Sequence, residues 1–546
     1  MLRRRHLGRI TFREANDLQR ALVQANDDYV LLFEHPPTYT MGVRTQAENF
    51  LVAPELLDAV VVEADRGGDV TYHAPGQVVA WAIRTVADDP SAGRDHVNAL
   101  EDAVIATVRG VDATRVLGEV GRLDGYPGVW AHLEGRPHKI AAVGVRTERN
   151  NHGARRTLHG VALNVDIDLS GFAKINPCGI TDKPVASLAS LGLGVSRLEV
   201  EDQLGEELER RFGGSGSVAR VDRSPSSHSP ERPLLRRLRK AGVDPDAGLS
   251  IRARKPEWLR IEAHMGAEYQ TLRTLNEDLR LVTVCEEAGC PNIFECWAEG
   301  TATFMVNGER CTRACGFCLI DTRKPLPLDP SEPDRVAEAV VRLKLAHAVI
   351  TCVARDDLAD GGAGAIAQTV RAIRERSPET NVEVLTSDLR GDLGSLEMLF
   401  DAGPDVINHN IETVARLQRA VRPSAGYARS LTVLARSAAA GFTTKSGLMV
   451  GLGETSDEVI ETLADLAAVG VSIATIGQYL RPTEQHLPVA RWWEPSEFDE
   501  LAARGLALGL RHVQASPLTR SSYHAKKALS DAIPVGLPSR RATIER

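Results

Sequence analysis

The sequence predicts two domains of different class, an α+β domain followed by an α/β domain on a parallel sheet closed or partly closed into a barrel. Three observations carry this expectation. The chain has 546 residues, against roughly 100–200 for a typical domain. The segment Gly213 to Arg232, GGSGSVARVDRSPSSHSPER, is rich in Gly, Ser and Pro and too poor in apolar residues to offset its chain entropy. Strand and helix patterns are irregularly mixed before it and alternate after it. The expected division is a first domain over 1–212, a flexible linker over 213–254 and a second domain over 255–546.

Before the linker, Ala59-Val-Val-Val-Glu63, Val78-Val-Ala-Trp-Ala-Ile83, Lys139-Ile-Ala-Ala-Val-Gly-Val145 and Val161-Ala-Leu-Asn-Val-Asp166 are β-branched or alternating runs bounded by turn residues, as in strands. Helical patterns lie near Glu14–Asn26, His96–Arg109 and Glu199–Arg211. After it, short apolar runs at 304–306, 348–351, 382–385, 406–407, 446–450 and 473–476 are separated by helical stretches such as 334–345, 365–376 and 456–468. Repeated strand–helix units imply a parallel sheet of about six strands, a partial (β/α)6 barrel of TIM type, with functional residues at the C-terminal strand ends.

Composition excludes several function classes. Apolar residues make up 43% and charged residues 25%, ordinary for a globular protein. Lys+Arg at 65 against Asp+Glu at 73 gives −8, so no nucleic-acid partner is expected. There is no run of 18 apolar residues, so no membrane association is expected. The start, Met1-Leu-Arg-Arg-Arg-His6, has no apolar core behind it and is not a secretory signal. A cytoplasmic protein is expected. The basic patch Arg236-Arg237-Leu238-Arg239-Lys240 reads as a solvated arm.

Of eight cysteines, six lie between Cys285 and Cys318. Such clustering in a chain without a secretory signal points to metal or catalysis rather than disulfides. Cys311, Cys315 and Cys318 form a C-x3-C-x2-C set just after the first barrel strand. Three thiolates on a short loop can hold three irons of a [4Fe–4S] cluster and leave the fourth open. That iron can chelate S-adenosylmethionine, and electron transfer then yields a carbon radical. The competing reading is structural zinc, which wants four ligands. Cys352 lies in an apolar strand and reads as a small core residue.

The set Cys285-x4-Cys290-x5-Cys296 precedes the first, within VCEEAGCPNIFECWAEGTATFMVNG. Together with Arg355-Asp-Asp-Leu-Ala-Asp-Gly-Gly362, Asn408-His-Asn-Ile-Glu-Thr413, Thr444-Lys-Ser-Gly-Leu-Met-Val-Gly-Leu-Gly-Glu-Thr455, Ile476-Gly-Gln-Tyr-Leu480 and Arg520-Ser-Ser-Tyr-His524, it resembles lipoyl synthase, a radical S-adenosylmethionine family, from about Lys255 to His524. The resemblance implies insertion of two sulfurs into an octanoyl chain already attached to a carrier lysine. It implies two [4Fe–4S] clusters, one that binds S-adenosylmethionine and one auxiliary cluster consumed as the sulfur donor. The auxiliary cluster would be held by Cys285, Cys290, Cys296 and Ser522, with Ser521 the alternative serine. An external electron donor such as ferredoxin or flavodoxin is implied as well. Asn410, Glu412, Lys445 and Glu454, at or beside predicted strand ends, are the candidate cofactor contacts.

In the first domain, Cys178 lies on the turn Ile175-Asn-Pro-Cys-Gly179. Its surroundings are Glu34-His-Pro-Pro-Thr-Tyr-Thr-Met-Gly42, Asp65-Arg-Gly-Gly-Asp-Val-Thr-Tyr-His-Ala-Pro-Gly-Gln77, Lys139-Ile-Ala-Ala-Val-Gly-Val-Arg146 and Leu158-His-Gly-Val-Ala-Leu-Asn164. They resemble octanoyl-carrier protein octanoyltransferase over about residues 5–210. The implied fold is a central sheet flanked by helices, related to lipoate and biotin ligases. Ala74 departs from the glycine usual after the histidine, where a methyl group would disturb a tight turn.

A covalent thioester at Cys178 serves transfer of an acyl group from a carrier thioester to a lysine amine. A cation such as Lys139 helps the thiol to ionise, with His73 the alternative base. The substrate would lie against Arg66, Gly67, Gly68, Asp69, Val70, Thr71, Tyr72 and His73, against Ala141, Ala142 and Val143, and against His159, Gly160 and Val161. A ligase would activate a free acid with ATP and needs no nucleophilic cysteine.

The two expected activities are consecutive, octanoyl transfer and then sulfur insertion on the same chain. The implied partners are octanoyl-acyl carrier protein, lipoyl domains of 2-oxoacid dehydrogenase complexes and the glycine cleavage carrier protein. The alternative is a synthase whose first half only docks the carrier.

Overall fold

The arginine-rich N-terminus is an inner strand of the first sheet, where Arg3 and Arg4 are buried. Arg3 donates to Asp27 at 2.7 Å and Arg4 pairs with Glu209 at 3.4 Å. A buried charge is tolerable only when paired in this way. This computed structural model describes residues 1–133, 135–214, 217–221, 232–260, 279, 281–283, 292, 296 and 300–532. The chain divides into two units, Met1–Arg220 and Val221–Arg546.

The strands of the first unit are β1 (Leu2–Arg9), β2 (Asp28–Glu34), β3 (Thr38–Met41), β4 (Val60–Glu63), β5 (Thr71–His73), β6 (Gln77–Ile83), β7 (Glu119–Leu123), β8 (Tyr126–Leu133), β9 (Arg136–Arg149), β10 (Arg155–Asn164) and β11 (Ser217–Arg220). An eight-stranded mixed sheet runs β11-β1-β2-β6-β10-β9-β8-β7, and β4-β3-β5 form a small second sheet. Alternation divides the large sheet between two layers. Val30, Leu32, Val78, Ala80 and Ala82 pack with Leu100, Val104 and Leu204 of the helices Ala92–Val111 and Arg197–Phe212. The opposite side meets the helix Phe12–Val23, opened by a capping box between Thr11 and Glu14. There Phe12 and Phe33 set their edges on Trp81, ring centroids 5.6 and 5.2 Å away. This is the expected sheet flanked by helices.

Segment 213–254 contributes to both units at its ends. Ser217–Arg220 pair in parallel with β1, and Pro233–Lys240 form a helix whose Leu238 is buried. The linker composition concealed Leu234, Leu235 and Leu238, an apolar stripe at helical spacing.

In the second unit β12 (Val282–Thr283) lies antiparallel on β13 (Thr301–Val306). Six further parallel strands follow in chain order, β14 (His347–Cys352), β15 (Asn381–Leu385), β16 (Val406–Asn408), β17 (Thr443–Val450), β18 (Ile473–Gln478) and β19 (His512–Ala515). The six expected strands are present, and β19 makes a seventh. Among the described residues no pairing closes β19 back onto the first strands. Helices Glu332–Arg342 and Ala363–Arg376 cover the outside with Val336, Val340, Ile366 and Val370. Among the described residues no helix is long and apolar enough to cross a membrane.

A polar layer crosses the inside of the sheet. Glu383 of β15 accepts hydrogen bonds from Lys445 Nζ of β17 at 3.0 and 3.1 Å and from Asn408 Nδ2 of β16 at 2.7 Å. His347 of β14 stands 3.5 Å away. Burial pushes the Glu383 carboxyl up, but Lys445 and His347 outweigh it and hold it down at about 2. The resulting stability is complete above the unfolded carboxyl's value of about 4.3 and is lost as pH falls toward 2. Lys445→Met would strand Glu383 as an uncompensated buried charge, and denaturant unfolding should show a loss of about 3–5 kcal/mol. An unchanged midpoint would mean that the layer does not hold the sheet.

Candidate active sites

In the first unit the loop before β5 and the turn that carries Cys178 fold against each other. The Cys178 amide donates to the Val70 carbonyl at 3.0 Å. Cys178 is half-buried at φ 58°, in the left-handed region, followed by Gly179 at 69°. A non-glycine residue held there stores strain that its surroundings must sustain. They do so through Asp69, whose carboxylate accepts from Asn49 Nδ2 at 2.5 Å and from the Gln46 amide at 3.3 Å. The Asn49 carbonyl in turn accepts the amide of Asn176 at 2.8 Å, two residues before the thiol.

Arg66 is buried beside this turn, its guanidinium donating to the Thr40 carbonyl at 2.7 Å and to the Thr40 hydroxyl at 3.2 and 2.7 Å. Burial lowers its pKa, and Cys178 and Asp69 favour its charged form. Lys139 is buried with its ammonium 5.6 Å from the Trp130 ring centre, and among the described residues it makes no hydrogen bond to Cys178. The chain leaving Cys178 does return to it, since the Lys139 amide donates to Pro184 and its carbonyl accepts from Ala186, both at 2.9 Å.

Both ring nitrogens of His73 are engaged, by Gln77 at 2.7 Å and Thr40 at 3.2 Å, and burial pulls its pKa to about 3. That removes the basis for His73 as the base. His159 is buried at φ 62°, its Nε2 2.8 Å from Asp65, and is likewise pulled down to about 3 by burial. Tyr72 packs on Tyr39 and Phe172. Ala141, Ala142 and Val143 on β9 pair with Leu163, Ala162 and Val161 on β10, and Gly160 pairs with Gly144.

A Cβ on Gly42 would overlap the Gly68 carbonyl, so these loops approach as closely as they do only without side chains. Beside them opens a cavity of about 800 Å³ with Met41, Val43, Phe50 and Ala64 in its wall. Ala74 lies outside the left-handed region and is buried in an apolar cluster with Tyr39, Tyr72 and Phe172, so its methyl group disturbs no turn.

In the second unit the loop after β13 is tied to the neighbouring strand ends. The Thr312 amide donates to Ala354 at 3.0 Å, Gly316 to Val421 at 2.8 Å and Leu487 to Gly316 at 2.9 Å. Between the first two cysteines, Arg313 donates to both oxygens of Asp356 at 2.7 Å and to Asp388 at 2.6 Å. Burial opposes its charge, and these carboxylates more than restore it. Burial and neighbouring anions push Cys315 up to about 12, while Arg422 works the other way. Cys318 is pushed up to about 11, again mainly by burial.

Among the described residues no three His, Cys, Asp or Glu side chains gather closely enough for one metal ion.

Glu412 sits at φ 65° with Arg422 as its nearest compensating charge, and burial raises its carboxyl. Asn410 Nδ2 donates to the Ser521 hydroxyl at 2.7 Å, which joins the end of β16 to the Arg520-Ser-Ser-Tyr523 motif. Ser522 is half-buried, and among the described residues its hydroxyl makes no hydrogen bond. Cys296 is buried, and its amide donates to Asn292, whose side chain reaches Leu518 at 2.7 Å. Cys296 and Asn292 are thereby tied to the chain just before the serine motif. Cys285 and Cys290 lie outside the described residues.

Lys445 is taken up by Glu383 deep in the sheet. Glu454 accepts from the amides of Gly451 and Leu452 and from Trp493 Nε1, and so braces the loop after β17. The structure engages these two away from the cysteines, whereas Glu412 acts electrostatically on Cys315 and Cys318 and Asn410 reaches Ser521. Cys352, at the end of β14, is pushed up to about 11 by burial, as a core thiol is. Sequence reasoning missed Arg313, although it lies inside the motif, and missed the Asp69–Asn49–Asn176 chain, which no spacing announces.

Residues 12–209 match the lipoyl protein ligase A/B catalytic domain family, and residues 305–466 match the radical SAM superfamily. The chain is 52% identical over 282 residues to a lipoyl synthase of Oceanobacillus iheyensis, covering 51% of this chain and 90% of that protein. It is 53% identical over 280 residues to a lipoyl synthase of Rubrobacter xylanophilus, covering 51% and 87% respectively. A crystal structure of lipoate-protein ligase A bound with ATP aligns with 41% of this chain and 90% of that one, at 18% identity and a TM-score of 0.33.

Asp69→Ala would release Asn49 and the Cys178 turn together, and chemical denaturation should register a loss of about 1–3 kcal/mol. Ala74→Gly should cost about 0.5–1 kcal/mol in chemical denaturation. A gain in stability from that glycine would mean that the methyl group does obstruct the turn.

Proposed function

Because the chain belongs, through its second half, to the lipoyl synthase family, we propose that it makes the lipoyl group in two steps on one polypeptide. It transfers an octanoyl group from acyl carrier protein to a lysine of a lipoyl domain or of the glycine cleavage carrier protein, then inserts two sulfurs into that chain. The observation that carries the double reading is that two different thiol centres are built on one chain. One is the strained Cys178 turn inside a ligase-like catalytic domain, and the other is the three-cysteine loop at the C-terminal strand ends.

In the first step the Cys178 thiolate attacks the carrier thioester, a bond from sulfur to the acyl carbon forms and the carrier thiol leaves. The lysine amine of the acceptor then attacks the acyl-cysteine, the amide forms and Cys178 is released, with Lys139 handling the amine proton. Gly67, Gly68 and Tyr72 hold the acyl chain against β9. A nucleophilic cysteine favours transfer over ATP-dependent ligation, which needs none.

For the second step, Cys311, Cys315 and Cys318 would hold one [4Fe–4S] cluster, and Cys285, Cys290, Cys296 and Ser522 a second one. When bound, these clusters and S-adenosylmethionine supply the carbon radical that breaks unactivated C–H bonds and the sulfur that replaces hydrogen. The residues present suit that cargo. Three thiols lie on a braced loop, and Asn410 and Glu412 offer an amide and a carboxylate to the polar groups of S-adenosylmethionine. Octanoyl transfer itself needs no metal.

Incubation with octanoyl-acyl carrier protein should leave one octanoyl group on the peptide carrying Cys178, released by hydroxylamine. Cys178→Ser should abolish both this adduct and octanoylation of an apo lipoyl domain. Unchanged flux in Cys178→Ser would reduce the first unit to a docking module. Anaerobically purified protein should carry iron and sulfide for two clusters, and a colourless zinc-loaded protein would contradict the radical reading.

A further inference from the structure

The basic patch Arg236–Lys240 is not a free arm. It forms the helix Pro233–Lys240, and its buried face rests on the three-cysteine loop. A Cβ on Gly316, between Cys315 and Cys318, would stand 2.7 Å from Leu234 Cδ1 and 2.8 Å from Leu487 Cδ1, so the helix packs directly on the loop backbone. The flanking chain pins it at both ends. Arg232 donates to the carbonyls of Glu484 and Gln485 at 3.4 Å and to Gln485 Oε1 at 3.0 Å. Arg416 donates to the Ala241 carbonyl, Val243 packs on Gly453, and the Leu249 amide donates to Val489 at 2.7 Å.

The helix carries no acidic residue. Arg232 to Asp246 holds five cations and two carboxylates, in a chain of net charge −8. Both carboxylates, Asp244 and Asp246, are engaged by Arg239 at 3.0 and 2.8 Å. Arg236 and Arg237 make no ion pair among the described residues and are half-exposed. A local basic stripe on an acidic chain therefore lies one side-chain layer from the loop that would hold the reducible cluster.

We propose that this helix is the docking surface for an acidic one-electron donor protein, an inference that rests on the radical chemistry proposed above. Each reductive cleavage of S-adenosylmethionine consumes one electron, and the donor is oxidised by one. The donor has to approach closely, deliver and leave, which suits a small charged contact rather than a large apolar one. Redox encounters are typically small and weak, and complementary charge raises the encounter rate without a lasting complex.

The test is titration of the iron-loaded chain with an acidic two-iron ferredoxin at low and moderate salt. Binding should weaken steeply with salt, and Arg236→Glu with Arg237→Glu should lower the affinity about ten-fold at low salt. Arg236→Gln with Arg237→Gln, which adds no repulsion, should lower it less. S-adenosylmethionine cleavage driven by ferredoxin should fall in the same order, while cleavage driven by dithionite keeps the rate of the unaltered chain. Unaltered ferredoxin affinity in both double variants would overturn the proposal. So would an equal fall with dithionite, which would make the helix a strut. Loss of affinity for an octanoylated lipoyl domain instead of ferredoxin would make it a carrier surface. Absence of dithionite-driven cleavage in the unaltered chain would overturn the function reading, and salt-sensitive ferredoxin binding would still decide the surface.

Discussion

Three thiols on a loop without secondary structure receive iron with less loss of chain entropy when the loop already holds its shape. Arg313 supplies that constraint. Its guanidinium spans Asp356, just beyond β14, and Asp388, just beyond β15, with three hydrogen bonds of 2.6–2.7 Å. Buried bidentate pairs of this kind are directional, and removing one member leaves the others uncompensated. Cys311 and Cys315 are thereby referred to the ends of the parallel sheet, where β/α folds place their chemistry. The helix over Gly316 and the Asn410–Ser521 contact are arranged around the same loop.

The first unit meets the equivalent requirement by backbone strain. Cys178 is held in the left-handed region because the turn is fastened on both sides, through Val70 on one and through Asn49 and Asp69 on the other. One buried carboxylate thus organises both the loop before β5 and the Cys178 turn. Arg66, Thr40 and Asp69 are buried near this half-buried thiol, where charges are less screened than in water. The large sheet contributes rigidity to this arrangement, since Lys139 on β9 meets the chain returning from Cys178.

Much of the fold was legible because its signals are local. Six of the seven parallel strands of the second unit stand out as apolar runs between helical stretches, and the sheet order follows from their regular alternation. The strand Leu2–Arg9 was hidden because its arginines are paired inside rather than solvated, and apolar patterning is blind to partners that arrive from Asp27 and Glu209. The helix Pro233–Lys240 was hidden by its cations, although its leucines are spaced for a helix. At the sites, motif spacing pointed to the cysteines but not to what holds them. Lys445 and Glu454 sit in motif blocks and look like ligand contacts, yet one pairs with Glu383 and the other braces a loop. A buried ion pair and a cofactor contact use the same residue types, and only geometry separates them.

Joining the two proposed activities in one chain would raise the effective concentration of the second centre for the product of the first. The most direct measurement of that account is the intact mass of an apo lipoyl domain after anaerobic incubation with the full chain, octanoyl-acyl carrier protein, S-adenosylmethionine and a strong reductant. The account predicts a shift to the mass of the lipoylated domain. A domain that stays at its unmodified mass, with carrier protein still octanoylated, would contradict it.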